Sequence, residues 1–480
     1  MRRSVRLEDA LITRELTLPD QVLLVLSMSI PAILAQLTSI AMQYIDAGMV
    51  GSLGAHATAA IGLVSTSTWL LGGMCSGLGS GFSVQVAQLV GGGHDREASD
   101  VLRQALGVLS LLGLIVGAFG VAIGGVLPDW LGGEEEIRAE ASIYFRIYCA
   151  SIPFELLRQL SAGMMQCSGD MKTPSVLSAA VCVLDVIFNA LLIFPTRSVR
   201  LAGLPLTLPG AGLGVTGAAL GTALSEVVVS LIMIFLVCFR NKKLALRAGG
   251  SWRWQKKTIV TALKIAVPLS FDHVFMCSAY VAGTLIVAPL GTAAVAANSL
   301  CVTAESLCYM PGYGIGYAAT ALIGQSIGAG RQDLTKVFSR VSVALGMLLM
   351  ACSAVFMYFF APTAFGLLTS DAAVAALGVQ ALRIELLAEP FYGASICCAG
   401  VFRGAGDTLM PSVMNLISMW GVRLTLALFL VPVMGLTGYW TAMGIELFFR
   451  GVIFLFRLRK GKWMKKALTE DAIAGEPVAE

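Results

Sequence analysis

The sequence predicts an all-α integral membrane protein with twelve transmembrane helices in two six-helix lobes, and three observations lead to that fold class. Apolar residues make up 57% of the chain and charged residues 13%, about half of the ~25% usual in soluble domains. Long apolar stretches recur along the chain, and inside lipid a helix satisfies all of its own backbone polar groups. The motifs of the first half recur in the same order in the second half, which indicates two similar lobes.

Each apolar stretch predicts one helix. The stretches of the first half lie at 21–45, 57–90, 101–127, 138–162, 174–196 and 211–239. Those of the second half lie at 258–285, 293–326, 334–361, 376–402, 411–434 and 436–458. A β-barrel is excluded because no segments of about ten residues alternate between apolar and polar. The predicted units are an N-terminal segment at 1–20, a first lobe at 21–239, a linker at 240–257, a second lobe at 258–458 and a tail at 459–480.

The repeat has a constant offset over most of its length. Pro31 corresponds to Pro268, which is 237 residues further along, and Gln88 corresponds to Gln325 at the same offset. The first half contains 16 additional residues around 195–210, which we place in an outer loop. Because both halves have six helices and share one order, we expect a parallel repeat with a pseudo-two-fold axis along the membrane normal.

The distribution of Lys and Arg predicts the orientation in the membrane. Positive charges concentrate at both chain ends, in the linker and in the turns after even-numbered helices, whereas acidic residues such as Glu134 and Asp371 follow odd-numbered helices. Cytoplasmic loops carry such an excess of positive charge. We therefore expect a multi-pass protein of the plasma (cytoplasmic) membrane with both termini in the cytoplasm. The net charge of +4 reflects these loops and not nucleic-acid binding.

Ionisable side chains inside the apolar stretches are costly and usually functional. In the first half we select Asp46 of helix 1 with Asp185 and Asn189 of helix 5 as an ion-coupling site, and a resemblance to a known family implies Thr222 of helix 6 as its fourth member. Asp185 and Asn189 are four residues apart and share one helix face. Carboxylate, amide and hydroxyl oxygens together suit Na⁺ or a bound proton. The alternative for Asp46 is a cap at the outer end of helix 1, and that for Asn189 and Thr222 is packing.

The second half offers a second group of candidates. They are Asp272, His273, Glu305, Glu389 and Arg423. The alternative is a purely structural salt bridge within this lobe, with Arg423 as the cation. His273 is then a packing residue, although histidine also suits proton coupling.

Other functional classes find little support. The sequence has no GxxxxGK[ST] nucleotide motif, no Cys or His spacing typical of a metal site and only three histidines, two of them in turns on opposite sides. We therefore predict a transporter and not an enzyme, with no cofactor. Without an ATP motif, the energy for transport must come from an ion gradient or a partner subunit.

Several motifs resemble the MATE (multidrug and toxic compound extrusion) family. They are Asp46-Ala-Gly-Met-Val-Gly-Ser-Leu-Gly54, Gln88-Leu-Val-Gly-Gly-Gly93, Ile-Gly324-Gln325-Ser-Ile-Gly328-Ala-Gly330, Phe402-Arg403-Gly404-Ala-Gly406-Asp407 and Trp420-Gly-Val-Arg423. The resemblance covers about residues 20–455. It implies two lobes forming a V around a central cavity, in the MOP superfamily.

The resemblance also implies a function, namely efflux of cationic or amphiphilic small organic compounds in exchange for H⁺ or Na⁺. The partners are then a small-molecule substrate and the lipid bilayer, and we expect a monomer. The family places Asn before Asp in helix 5, whereas here Asp185 precedes Asn189, so the coupling ion stays open. The alternative is a flippase-type exporter of a lipid-linked or polar metabolite of the same superfamily. Its pyrophosphate head group would require a basic cavity, whereas most of the charges in the apolar stretches are acidic.

Overall fold

In the computed structural model the chain is almost entirely helical. The structure describes Leu7, Leu11 and residues 17–201, 204–246, 250, 252–369 and 371–466. Most of the predicted N-terminal segment 1–20, part of the linker 240–257 and most of the tail 459–480 lie outside the described residues.

Helices occupy the twelve predicted positions in the predicted order, which confirms the fold class. Those of the first half are α1 (Leu18–Gly51), α2 (Ala55–Gly91), α3 (Asp95–Ile123), α4 (Glu135–Cys167), α5 (Lys172–Leu192) and α6 (Gly214–Arg240). Those of the second half are α7 (Lys256–Leu290), α8 (Thr292–Gly328), α9 (Gln332–Leu368), α10 (Ala372–Glu385 and Glu389–Gly404), α11 (Leu409–Met434) and α12 (Leu436–Lys460).

Eight of the described helices are long and apolar enough to cross a membrane. The other four, α4, α8, α10 and α12, have a more polar composition or, in α10, an interruption. They contain buried charged residues such as Glu305 on α8, Glu385 on α10 and Glu446 on α12. Charges within a membrane protein face the interior of the helix bundle, so the lower hydropathy of these helices reflects charged side chains that they contribute to that interior.

Two local departures from the predicted helices have steric causes. Helix α5 ends at Leu192 and not at residue 196, because Pro195 lacks an amide hydrogen and restricts the residue before it. The chain then forms an antiparallel hairpin of β1 (Pro195–Leu201) and β2 (Leu204–Ala211), which occupies the additional segment of the first half. Helix α10 is interrupted after Glu385, and Pro390 lies in the first turn of its second part.

The first helix of each half packs against a helix of the other half as well as against one of its own half. Helix α1 packs along α8 of the second half and along α5, and α7 packs along α2 of the first half and along α11. The pairs α1–α8 and α7–α2 are equivalent under the repeat, as a two-fold axis between parallel repeats requires. Each half also has its own apolar core, and a third core joins the start of α1 to α8, α9 and α10.

A pair of exchanged hydrogen bonds closes the halves against each other at one end, which we call the linker end because the described linker residues 241–246 and 252–255 lie there. Gln88 Nε2 donates to the carbonyl oxygen of Gly404 (3.1 Å), and Gln325 Nε2 donates to that of Cys167 (2.7 Å). Donors and acceptors are both related by the 237-residue offset. We call these two bonds the glutamine clasp.

Two glycines make the glutamine clasp sterically feasible. A Cβ atom on Gly91 would overlap the backbone of Gln325, and one on Gly328 would overlap the backbone of Gln88. Helices α2 and α8 therefore cross in direct backbone contact, as small residues allow in membranes. The linker end is the closed end of the arrangement that this structure describes.

Replacing both glutamines by leucine should loosen the linker end. Each hydrogen bond contributes about 1 kcal/mol, so a combined loss of about 2 kcal/mol should raise the open population roughly thirtyfold. The readout is the rate at which a thiol reagent labels Cys167, which is buried beside the clasp. Gln104→Leu is the matched control, because Gln104 is buried and, among the described residues, its side chain bonds to the backbone of Gln255 and not to the clasp. Equal labelling of the double variant and the wild type would contradict this role.

Candidate functional site

The first-half candidates meet between α1 and α5. The Asn189 side-chain nitrogen donates to Asp46 Oδ1 (3.1 Å) and to Asp185 Oδ2 (2.9 Å). Asp185 and Asn189 are buried, with 0% and 2% exposure. One amide nitrogen therefore holds two carboxyl groups from separate helices together.

The same three residues leave two acceptors unused. Asp185 Oδ1 and Asn189 Oδ1 are buried and have no hydrogen-bond partner among the described residues. A buried acceptor without a donor is costly unless a proton or a cation reaches it. Carboxylate and amide oxygens are the ligand types that hard cations prefer. The arrangement suits the uptake of H⁺ or Na⁺.

Two further sequence-based interpretations concern this site, namely Asp46 as a helix cap and Thr222 as a site residue. Asp46 lies inside α1, five residues before the helix ends at Gly51, so it does not cap that end. Thr222 is adjacent to Gly221, and a Cβ atom on Gly221 would overlap Asn189 Oδ1. The Thr222 hydroxyl makes no hydrogen bond to the three site residues within the described part of the chain. The structure thus brings together Asp46, Asp185 and Asn189 and places Thr222 beside them.

In the second half, three glutamates form one cluster. Oxygens of Glu305, Glu385 and Glu389 lie within 4.8 Å of one another, and the side chains are at most 3% exposed. The carboxyl oxygens of Glu385 and Glu389 have no hydrogen-bond partner among the described residues. The break in α10 separates the helical segments that carry these two residues. Like charges buried together repel, so this cluster also requires protons or a cation.

The remaining second-half candidates lie elsewhere. Asp272 accepts two hydrogen bonds from the Asn415 side-chain nitrogen, at 3.0 and 3.3 Å, and lines a small cavity with His273. Asp272 and His273 therefore do not join the glutamate cluster. The structure places the ring of His273 against Gly73 of α2, where a Cβ atom would overlap it.

Arg423 has a different partner from the one predicted. It donates to Glu446 Oε2 from Nε (3.0 Å) and Nη2 (2.6 Å), and Arg450 donates to both oxygens of the same carboxylate. The alternative of a salt bridge from Arg423 to Asp272, Glu305 or Glu389 is therefore not what the structure forms. Glu446 is fully buried on α12, and two guanidinium groups satisfy it, so this group is a closed ion-pair network.

The two halves use equivalent positions for different chemistry. Glu305 and Glu385 correspond under the repeat to Thr68 and Tyr148, and the Tyr148 hydroxyl donates to the Thr68 carbonyl oxygen (3.0 Å). In return, the position equivalent to Asp46 is Gly283. The acidic residues of these two groups therefore occupy different places in the repeat.

A cavity of about 230 Å³ lies between the halves, lined by α1, α2, α4 and α5 on one side and by α8 and α10 on the other. Its lining consists mainly of serine, glutamine and small residues. Its charged residues among those described are Arg158 and Arg403, with no Asp or Glu. Arg158 forms an ion pair with Glu226. The acidic groups that dominate the apolar stretches therefore do not line this cavity.

Sequence reasoning did not select three residues that the structure makes prominent. Glu385 lies four residues before Glu389, a spacing that could have indicated a shared helix face. Arg403 lies in one of the family motifs but carries no sign of its role there, and Asn415 gives no local signal, because their importance depends on contacts with α7 and α8.

Comparison with known proteins gives a consistent result. The MatE family profile matches residues 31–191 and 268–429. The chain is 24% identical over 455 residues to the probable multidrug resistance protein NorM of Thermotoga maritima, covering 93% of this chain and 94% of the relative. It is 27% identical over 450 residues to the probable multidrug resistance protein NorM of Idiomarina loihiensis, covering 90% of this chain and 92% of that relative. A MOP superfamily transporter from Pyrococcus furiosus has the same fold, with a TM-score of 0.83 at 19% identity and coverage of 92% and 95%.

The close contact between α6 and α5 leads to a test of the first-half site. Gly221→Ala should push Asn189 away from the two carboxyl groups, because the new methyl group would overlap its side-chain oxygen. We expect a loss of about 1–3 kcal/mol in stability and ion-driven transport at least tenfold slower. The measurements are thermal unfolding in detergent and dye efflux from proteoliposomes. Gly62→Ala is the control, because a Cβ atom there has nothing within 4 Å. Equal effects of the two substitutions would rule out this contact as a support of the site.

Proposed function

The chain belongs to the MatE family, and on this premise we propose that it is a secondary active multidrug efflux antiporter. It exports cationic or amphiphilic small organic compounds in exchange for H⁺ or Na⁺. The observation that carries this proposal is a pair of carboxyl groups, half-buried Asp46 and fully buried Asp185, joined by Asn189 with two acceptors unused. Such a group needs an ion to be stable in the membrane interior.

The mechanism that we propose is charge competition. When Asp46 and Asp185 are ionised, their negative potential favours a cationic compound within the protein. Binding of a proton or Na⁺ neutralises the site and weakens that attraction, so the compound leaves. Each ligand shifts the arrangement of the lobes only by its differential affinity for the two states. No direct contact between ion and substrate is needed.

The direction of transport follows from the proposed orientation. We place the linker end in the cytoplasm, since the basic loops lie there, and the protein in the plasma membrane as a monomer without a cofactor. The glutamine clasp then closes the cytoplasmic side in the arrangement described. The site residues are Asp46, Asp185 and Asn189, and they lie near the C-terminal ends of α1 and α5. Those ends are remote from the linker end and are therefore near the outer side. An ion can then enter the site from outside while the cytoplasmic side is shut.

The glutamate cluster supports a second coupling group. Glu305, Glu385 and Glu389 are as deeply buried as Asp185, and two of them lack partners among the described residues. If the first-half site is not the coupling site, this cluster is the better candidate. The Arg423–Glu446–Arg450 network is not, because its carboxylate is already satisfied.

The alternative function, export of a lipid-linked or polar metabolite, finds support in the arginines of the central cavity. Arg158, however, is neutralised by Glu226, which leaves Arg403 as the one cavity cation without a carboxylate partner among the described residues. A pyrophosphate head group carries at least two negative charges and would demand more. We therefore favour a small organic substrate.

Asp46→Asn and Asp185→Asn should each abolish gradient-driven efflux while the protein stays folded and inserted. Asparagine keeps the size and hydrogen bonding of the side chain but removes the titratable charge. The experiment is efflux of a fluorescent cation from proteoliposomes under a ΔpH or a Na⁺ gradient, imposed separately. Asp129→Asn is the control, because Asp129 is an exposed partner of Arg138 outside the bundle.

Wild-type efflux rates in both the Asp46→Asn and the Asp185→Asn variants would show that the first-half site is not the coupling site. Glu385→Gln and Glu389→Gln would then be expected to abolish efflux. Activity in all four variants would remove the proposed antiport mechanism.

A further inference from the structure

Arg403 is a half-buried cation that forms no ion pair with the described residues. Its guanidinium forms no hydrogen bond or ion pair with the described residues, and its Nε atom is buried. The guanidinium carbon lies 5.9 Å from the centroid of the Tyr317 ring, which gives partial cation–π compensation. Buried charges are normally paired, and an unpaired one in a membrane protein is usually functional.

The position of Arg403 is one where the two halves differ in charge. Under the repeat Arg403 corresponds to Gln166, and both side chains line the cavity between the halves. A second cavity of about 100 Å³ occupies the equivalent place in the second half, where Asn415 corresponds to Ser178. Arg403 lines both cavities. At this position of the repeat, the first half therefore has a neutral glutamine and the second half has a positively charged arginine.

The neighbouring charges leave room for a ligand anion. Asp272 lies in the second cavity but is held by Asn415 and forms no ion pair with Arg403. Arg158 and Arg450 are both paired with glutamates. An arginine with free donors is suited to bind one carboxylate through two parallel hydrogen bonds.

We propose that Arg403 binds an anionic group, most simply a carboxylate, on the transported molecule. The substrate is then a zwitterion, with a cationic part attracted by the acidic residues and an anionic part on Arg403. This inference rests on the proposed efflux function and adds a specificity-determining residue to it. A single available guanidinium selects one carboxylate and not a pyrophosphate.

The test compares two dyes that differ only in this group. Tetramethylrhodamine methyl ester is a cation, and its free acid, tetramethylrhodamine, is a zwitterion. Binding to the purified protein in detergent is followed by fluorescence anisotropy. The wild type should bind the free acid about tenfold more tightly than the ester, as a charge-assisted hydrogen bond predicts.

The variants separate charge from structure. Arg403→Gln, which inserts the residue of the first repeat, should weaken binding of the free acid about tenfold and change that of the ester less than twofold. Arg403→Lys should retain an intermediate affinity for the acid, because the charge stays but the two-pronged contact is lost. Arg138→Gln, at an exposed ion pair, is the control and should change neither dye.

Three results would overturn the inference: equal affinity of the wild type for both dyes, an equal loss for both dyes in Arg403→Gln, or binding of neither dye. If Arg403→Gln does not fold, the Arg403→Lys comparison decides alone. Binding of both dyes in the predicted order without gradient-driven efflux would support the role of Arg403 and contradict the proposed antiport, so the two failures are distinguishable.

Discussion

The whole structure depends on one constraint, namely that a polar group inside lipid must find its partner within the protein. Backbone amides meet it by forming helices. Side-chain charges meet it by facing other helices, as in the network of Arg423, Glu446 and Arg450. The groups that do not meet it are few among the described residues. They include Asp185, Glu385, Glu389 and Arg403, and these are the places where an ion or a substrate can complete the structure.

Because the chain is a repeat, the same constraint acts at equivalent positions of the two lobes. Gln88 and Gln325 satisfy acceptors of the opposite half, so the same motif closes the linker end twice. Elsewhere the halves have diverged. The first half has its acidic group between α1 and α5, whereas the second half has its own between α8 and α10. The hydrogen bonds that close the linker end follow the repeat, whereas the positions of the acidic groups do not.

The sequence predicted the helices, their order and the parallel repeat because hydropathy and a constant offset are one-dimensional signals. It also predicted that Asp46, Asp185 and Asn189 belong together, partly through helical spacing and partly through family resemblance. It did not predict that Arg423 pairs with Glu446 or that Arg403 stands without a counter-ion. Those facts depend on the rotation of each helix about its axis, which packing determines and local sequence does not. Hydropathy alone extends helix 5 to residue 196, whereas α5 ends at Leu192, because Pro195 restricts the backbone before it and hydropathy does not register that effect.

The central claim is that substrate and coupling ion compete through the charge of Asp46 and Asp185. The most direct measurement is the release of ions when a cationic dye binds to the purified protein in weakly buffered detergent, recorded with a pH indicator and a Na⁺ electrode. Competition predicts that dye binding releases H⁺ or Na⁺ from the wild type, and that the release disappears in the Asp46→Asn/Asp185→Asn double variant. Saturating dye binding with no ion released from the wild type would contradict the account.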